Sequence, residues 1–210
     1  MSIALSVLLY VLVFGALYTQ VFFLVSFWEH RKKMKAQESR TASDDELPEV
    51  TFIVPCYNEE ATVQDTIHSL FELDYPKEKI YVIAVNDGST DGTWDQLQMF
   101  TDDDHVQLID KENGGKYTAL NTALPYVTTP YMCSIDADTV LKPCALRTVA
   151  QYVVHEPGIA AVGGAVLIKN PTTLAQKAQN IEYQMFAFSK KVLGLLGGVL
   201  VVPGAFSLFK

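Results

Sequence analysis

No two of the three cysteines, Cys56, Cys133 and Cys144, stand in C-x-x-C spacing, and their number is odd. Neither a disulfide framework nor a zinc site is indicated, and Cys56 and Cys133, set in apolar runs, read as core residues. The histidines, His30, His68, His105 and His155, show no ligand spacing. Basic side chains are the minority: 16 Lys and Arg against 24 Asp and Glu give a net charge of −8. That balance speaks against a nucleic-acid partner, which needs clustered Lys and Arg to neutralise phosphates. Nucleotide substrates stay open, because a metal can neutralise their charge. The loop G-x-x-x-x-G-K-[ST] is absent, since Gly114-Gly115-Lys116-Tyr117 does not fit it, and no G-x-G-x-x-G follows the first apolar run. No Ser-His-Asp or Cys-His arrangement suggests itself at a strand end. Internal repeats and low-complexity segments are also lacking.

Charge is missing altogether from Met1 to Trp28. Roughly 26 residues at 1.5 Å rise span about 39 Å, more than the ~30 Å hydrocarbon core of a bilayer. A transmembrane helix is predicted over 1–28, with Tyr10, Tyr18 and Trp28 at the interfaces. A signal peptide would begin with basic residues and carry a shorter apolar core. Here Arg31, Lys32, Lys33, Lys35 and Arg40 come afterwards. That order predicts a single pass of the cell (inner) membrane, with the N-terminus outside and the following domain cytoplasmic. The polar, acidic stretch to Glu49, with Pro48 near its end, reads as a linker over 29–49.

The remaining 50–210 is long enough for one domain with a core of its own; 49% of the 210 residues are hydrophobic. It alternates. Val50–Val54, Ile80–Val85, Val106–Ile109 and the run Pro130–Ile135 have strand length and are apolar. Between them, helices are predicted from Val63, Ile67, Leu70 and Phe71, from Trp94 and Leu97, and from Ala119, Leu120, Ala123 and Leu124. Asn58 and Asp91 are candidate helix caps, and Pro143 suits a first helical turn before Leu146, Val149, Ala150 and Val153. Strands alternating with helices predict an α/β fold, a mostly parallel sheet with flanking helices joined by right-handed crossovers. Further on, the apolar run 159–168 is broken by Gly163-Gly164, which either admit a close ligand or mark a bulge. A helix with Leu174, Ala178, Ile181 and Met185 on one side follows. Lys190–Lys210 is apolar and glycine-rich, a poor spanning helix that would lie at a membrane surface or under a domain.

Ligands of open α/β sheets bind beyond the carboxyl ends of the strands. The predicted topology gathers Tyr57, Asn58 and Glu59, then Asp87, then Asp136 and Asp138 on that edge. Asp136-Ala137-Asp138 alone could be a surface turn or a cap. Acids recurring at strand ends make it a candidate cation site, because paired carboxylates repel unless a cation or proton intervenes. A hard divalent ion bridging a nucleoside diphosphate fits, and Lys116 at a helix start could add a point charge. Asp87 could accept hydrogen bonds from a base or ribose.

Four segments in order carry a resemblance: Ile53-Val54-Pro55-Cys56-Tyr57-Asn58-Glu59-Glu60, Val85-Asn86-Asp87-Gly88-Ser89-Thr90-Asp91-Gly92-Thr93, Asn113-Gly114-Gly115-Lys116 with Ala119-Leu120-Asn121, and Asp136-Ala137-Asp138. From about Val50 to Lys210 the chain resembles glycosyltransferase family two, nearest to membrane-bound processive synthases of the poly-N-acetylglucosamine type, then the hyaluronan, chitin and cellulose types. The resemblance implies a GT-A fold, an inverting displacement, a UDP-sugar donor such as UDP-N-acetylglucosamine, Mg²⁺ or Mn²⁺, and a growing β-linked polysaccharide as acceptor. Carried over by position, Pro55, Tyr57 and Glu59 line the nucleotide pocket, Asp87 contacts the uracil and Lys116 the base or diphosphate side. Asp136 helps hold the nucleotide, and Asp138 ligates the metal with it. In that family a Glu-Asp or similar acidic motif supplies the general base, and Gln-x-x-Arg-Trp follows. Neither occurs here, and no acid lies between Glu182 and Lys210. The family pattern therefore implies a chain truncated at its C-terminus, with a missing C-terminal half or a second synthase subunit as partner. Two other functions stay open: a non-catalytic membrane partner of a synthase, and a non-processive transferase acting on a lipid-phosphate acceptor.

Overall fold

A computed structural model describes residues 2–199 and 201–210. The chain runs α1 (Ile3–Glu38), β1 (Val50–Cys56), α2 (Val63–Phe71), β2 (Ile80–Asp87), α3 (Thr93–Gln98), β3 (Val106–Lys111), α4 (Lys116–Ala123), β4 (Tyr131–Ile135), α5 (Ala145–His155), β5 (Ala161–Gly163), α6 (Leu174–Leu195) and β6 (Phe206–Phe209). It forms two compact units, Thr41–Val166 with Val201–Lys210, and Met1–Arg40 with Leu167–Leu200.

The first unit is built on one sheet of order β3-β2-β1-β4-β6-β5. The pairs β1–β2, β1–β4 and β2–β3 are parallel, and β6 runs antiparallel to both β4 and β5. β1 and β2 are continuous apolar runs because helices cover both their faces. On one face Val50, Phe52, Val54, Cys56, Ile80, Val82 and Ala84 meet the stripes Val63, Ile67 and Leu70 of α2 and Leu146, Val149, Ala150 and Val153 of α5. On the other, Ile53, Ile83 and Val85 meet Ala119 and Ala123 of α4. The stripes recur three and four residues apart, the spacing of one helix face. Each large side chain buried there adds ~1.5–3 kcal/mol of transfer free energy. The α/β expectation, with a mostly parallel sheet, holds.

Cys56 and Cys133 are fully buried core residues. Burial pushes both thiols up, Cys56 to about 12, so neither supplies a thiolate at neutral pH.

Several expectations are corrected in detail. Helix α1 extends past the uncharged stretch and through the basic residues to Glu38. The stretch read as a linker packs from Thr41 onward: Ala42 and Leu47 are buried. Its carbonyls are satisfied by side chains, the Leu47 oxygen by Lys79 at 2.7 Å and the Pro48 oxygen by the Tyr75 hydroxyl at 2.6 Å. Two isolated apolar residues in a polar run leave no periodicity to read. Asn58 caps no helix, since α2 begins at Val63 with Thr62 before it. Leu124 is exposed in a short 3₁₀ turn rather than inward.

The largest difference lies at the end of the chain. Phe206–Phe209, expected at a membrane surface or under a domain, is an inner strand between β4 and β5. Ser207 and Leu208 are completely buried there. The Gly163-Gly164 pair accommodates this strand and the residues before it: a Cβ on Gly163 would fall 2.4 Å from Pro203 Cδ, and one on Gly164 only 2.2 Å from Phe206 Cδ1. The pair serves close approach of the chain to itself. Gly164→Ala should destabilise this unit by about 1–3 kcal/mol through overpacking. Leu208→Ala should cost about 2–5 kcal/mol through the cavity it opens. Urea unfolding of the solubilised chain, followed by tryptophan fluorescence at Trp94, checks both.

Candidate functional site

β1 pairs with β2 on one side and with β4 on the other, so the strand order reverses at β1. Crossovers leaving these strands part to opposite faces, and the gap beyond their carboxyl ends is where open α/β sheets take ligands. The residues predicted for the site follow the ends of these strands. Asp136 follows β4 directly, and Asp138 is two residues on. Between them Ala137 is buried, and its carbonyl accepts from the Thr66 hydroxyl at 2.8 Å. Ser69, one turn further along α2, accepts from the Leu141 amide at 3.2 Å. Two buried hydroxyls on an otherwise apolar helix stripe thus fasten the turn and leave its carboxylates outward. Asp138 is exposed, and its carboxylate accepts from the Thr139 hydroxyl at 3.3 Å. Asp136 accepts a short charged hydrogen bond from Lys116 Nζ. A side chain from the first residue of α4 therefore reaches the end of β4.

Lys116 is aimed by the turn 113–116, and that turn is held by Asp87. The Asp87 carboxylate is 3% exposed and accepts from Lys111 Nζ at 2.5 Å, from the Gly114 amide at 3.1 Å and from the Gly115 amide at 2.8 Å. The end of β2 approaches so closely that a Cβ on Gly88, at φ +68°, would fall 2.5 Å from the Asn113 nitrogen. Burial alone would push the Asp87 carboxyl up; the Lys111 ammonium and the two amides outweigh it and hold the group below the usual carboxylate range. Asp87 thus faces the glycine turn, with Oδ1 occupied by Lys111 and Gly114 and one acceptor position of Oδ2 left over.

Lys111 escaped the sequence reading, which ended the third strand at Ile109. The strand runs two residues further, and Lys111 is the register partner of Asp87 on β2. A charged pair at equal height on neighbouring strands is legible only once the register is known.

The β1 end is joined to the loop after β2. Asn58, at φ +55°, donates its amide to Ser89 Oγ at 3.0 Å and accepts from the Thr90 amide at 2.8 Å. The Glu59 amide donates to Thr93 Oγ1 at 2.8 Å, and its carboxylate accepts from Thr62 at 2.7 Å. Tyr57 is 50% exposed beside them, and Pro55 is half-buried in β1. Side-chain contact therefore joins Lys116 to Asp136, and Asp87 to the turn carrying Lys116. Among the described residues, Pro55, Tyr57 and Glu59 share the edge without a hydrogen bond to Asp87 or Asp136.

Among the described residues no three His, Cys, Asp or Glu side chains cluster as a metal cage. Asp136 and Asp138 nonetheless fit a hard divalent ion of the Mg²⁺ type. Such ions take one or two carboxylates and complete their shell with waters and substrate phosphates. The open oxygens of Asp138 are what that coordination requires.

Lys111→Met should leave the buried Asp87 carboxylate uncompensated and cost about 3–5 kcal/mol in urea unfolding. The contribution of Asp87 follows the sign of a depressed acid. It is full above the ordinary Asp value near about 3.9 and is lost as pH falls through the lower folded value. Unfolding midpoints measured from pH 7 down to about 2 should show that loss in wild type and lack it in Asp87→Asn.

Comparison with known proteins accords with this geometry. Residues 51–210 match the glycosyl transferase family 2 profile. The chain is 31% identical over 205 residues to poly-beta-1,6-N-acetyl-D-glucosamine synthase of Staphylococcus aureus, covering 97% of this chain and 49% of that protein. The Staphylococcus epidermidis synthase gives the same figures. The chain spans about half the length of the curated relatives it matches. Among solved structures, the mannosyltransferase PcManGT of Pyrobaculum calidifontis, in complex with GDP-Man and Mn²⁺, superposes with a TM-score of 0.64 at 23% identity, over 93% of this chain and 55% of that one. S. aureus TarS 1–349 with UDP-GlcNAc gives 0.50 at 23% identity, over 60% and 36%. At these identities the likeness is one of fold, the GT-A arrangement. Topology, edge residues and profile together place the chain in glycosyl transferase family 2.

Proposed function

We propose that the chain binds a UDP-sugar, with UDP-N-acetylglucosamine as the donor, and serves an inverting glycosyltransferase that extends a β-linked polysaccharide at a membrane. The observation that carries this is the Lys116–Asp136 pair beside the open Asp138 carboxylate, at the edge where β1 parts β2 from β4. The donor sugar is taken from the poly-N-acetylglucosamine synthases that the chain resembles over 97% of its length. The TarS structure holding UDP-GlcNAc and the PcManGT structure holding Mn²⁺ support the donor class and a divalent cation.

Each residue has a role that its environment permits. Tyr57 offers an exposed ring to the base, with Pro55 and Glu59 shaping the wall beside it. Asp87 keeps one Oδ2 acceptor position for the imide N–H of uracil while it fixes the glycine turn. Lys116 exchanges its hold on Asp136 for the diphosphate as the donor enters. Asp138 and Asp136 would hold Mg²⁺ or Mn²⁺. When bound, that cation supplies charge neutralisation for the departing UDP. An inverting step also needs a base within hydrogen-bond reach of the acceptor hydroxyl, a function distinct from donor binding. The domain organisation proposed is one membrane helix ahead of a donor-binding domain whose packed part begins at Thr41, with that domain on the cytoplasmic side where Arg31–Arg40 lie.

Titration calorimetry of UDP with Mn²⁺ into the solubilised chain tests the proposal. Asp138→Ala should weaken binding by at least about tenfold, a loss typical of disturbed metal sites. EDTA should reduce the wild-type heat to that of the variant. Equal heats from wild type and variant, with and without metal, would remove Asp138 from the site.

A further inference from the structure

Helix α2 holds none of the candidate site residues, yet it carries the turn on which Asp136 and Asp138 stand. Its buried stripe of Val63, Ile67 and Leu70 is interrupted by two buried hydroxyls, Thr66 and Ser69. They lie three residues apart, on one face of the helix. The Thr66 hydroxyl donates to the Ala137 carbonyl at 2.8 Å, and Ser69 Oγ accepts from the Leu141 amide at 3.2 Å. Just beyond the helix, the Asp74 amide donates to the Pro143 carbonyl at 2.8 Å. The stretch from Ala137 to Pro143 is thus held at both ends and in its middle by α2 and the residues that follow it.

Packing alone does not call for these hydroxyls. Valine has the shape of threonine and brings no polar group that must find a partner in the core. A threonine inside a helix can bond back to the carbonyl one turn earlier. Thr66 has one hydroxyl proton, and that proton goes to Ala137 instead. Ser69 does bond back, to the Thr66 carbonyl at 2.7 Å, and this leaves its oxygen lone pairs for the Leu141 amide. The carbonyl that Thr66 holds belongs to the residue between the two acids. Drawing that peptide toward the core, with the Ala137 side chain buried, fixes how the chain leaves Asp136 and enters Asp138. An ion of the Mg²⁺ type demands near-octahedral ligands at about 2.0–2.1 Å, so it favours carboxylates whose backbone is already set.

We propose that Thr66 and Ser69 are positioning residues for the cation: they hold the turn after β4 in the shape that lets Asp136 and Asp138 share one divalent ion, and so set the affinity for it without touching it. This rests on the proposed role of Asp136 and Asp138 as cation ligands. Groups that orient metal ligands from behind typically govern about 10–100-fold of metal affinity. The base side of the donor site is built separately, from Asp87 and the glycine turn on the β2 side of β1, away from β4. Loss of either hydroxyl should therefore weaken the cation-dependent part of donor binding and spare the base-dependent part.

Two measurements on the full solubilised chain separate these parts. UDP titrations at a series of Mn²⁺ concentrations give the Mn²⁺ level at which half the binding heat develops. Uridine, which lacks the diphosphate, reports the base side by saturation-transfer NMR without metal. Thr66→Val should raise the Mn²⁺ requirement by at least about tenfold and leave the uridine signal unchanged. Thr66→Ser, which keeps the hydroxyl, should restore the wild-type requirement. Thr51→Val is the control: it removes an equally buried hydroxyl from its 2.7 Å pair with Thr129, at the opposite end of β1, and should move neither readout. Should Thr66→Val fail to fold, Ser69→Ala decides by the same two measurements. An equal Mn²⁺ requirement in wild type and variant overturns the positioning role alone. So does an equal shift in Thr51→Val, or loss of uridine binding in Thr66→Val, since either reduces the effect to stability. Wild-type UDP heat that ignores Mn²⁺ overturns the cation site itself, and the positioning role with it.

Discussion

The parallel pairing of β1 with β2 on one side and β4 on the other is the constraint from which the candidate site follows. Because the three strands point the same way, residues after Cys56, Asp87 and Ile135 emerge along one edge. The pairing is enforced by burial on both faces. A one-residue slip of β1 would exchange Phe52 and Val54 for Ile53 and move each into the wrong packing layer. Placement of Asp87 relative to Asp136, 49 positions away in sequence, is thus a consequence of apolar packing far from either carboxylate.

That edge has an electrostatic problem and a visible answer to it. An acidic domain that holds an anionic donor, as proposed, brings like charges to close range, which disfavours binding. Lys111 compensates Asp87 internally, so this carboxylate adds little net repulsion at the edge. Lys116 compensates Asp136 at the surface, where the pair is half open and can be exchanged. Among the described residues Asp138 has no cationic partner, so its carboxylate stays open to an external cation. Asp87, Asp136 and Asp138 therefore have three different states, set by burial and by whether the fold delivers a lysine to each.

Motifs and apolar runs made much of this legible beforehand. Ile53–Glu60, Val85–Thr93, Asn113–Lys116 and Asp136–Asp138 pointed to the family, and the runs before them pointed to parallel strands. The β1 loop was misjudged: Asn58 looked like a helix cap, yet it ties that loop to Ser89 and Thr90. Asn serves turns with positive φ as readily as caps, and only the position of the β2 loop selects between them. Phe206–Phe209 looked like part of an apolar tail because four residues carry too little periodicity to announce a strand. Its partners are β4 and β5, and nothing local names them.

By itself the sequence determined which segments had to be buried, which stretch lacked charge enough to cross a membrane, and which residue types could grip a diphosphate and its cation. These are matters of composition and spacing, decided residue by residue through solvation. Only the tertiary structure decided that Lys111 stands opposite Asp87 and that Gly164 makes room for Phe206. Each of these is a pairing between segments distant along the chain, and a pairing is set by register and packing, which exist only once the chain has folded.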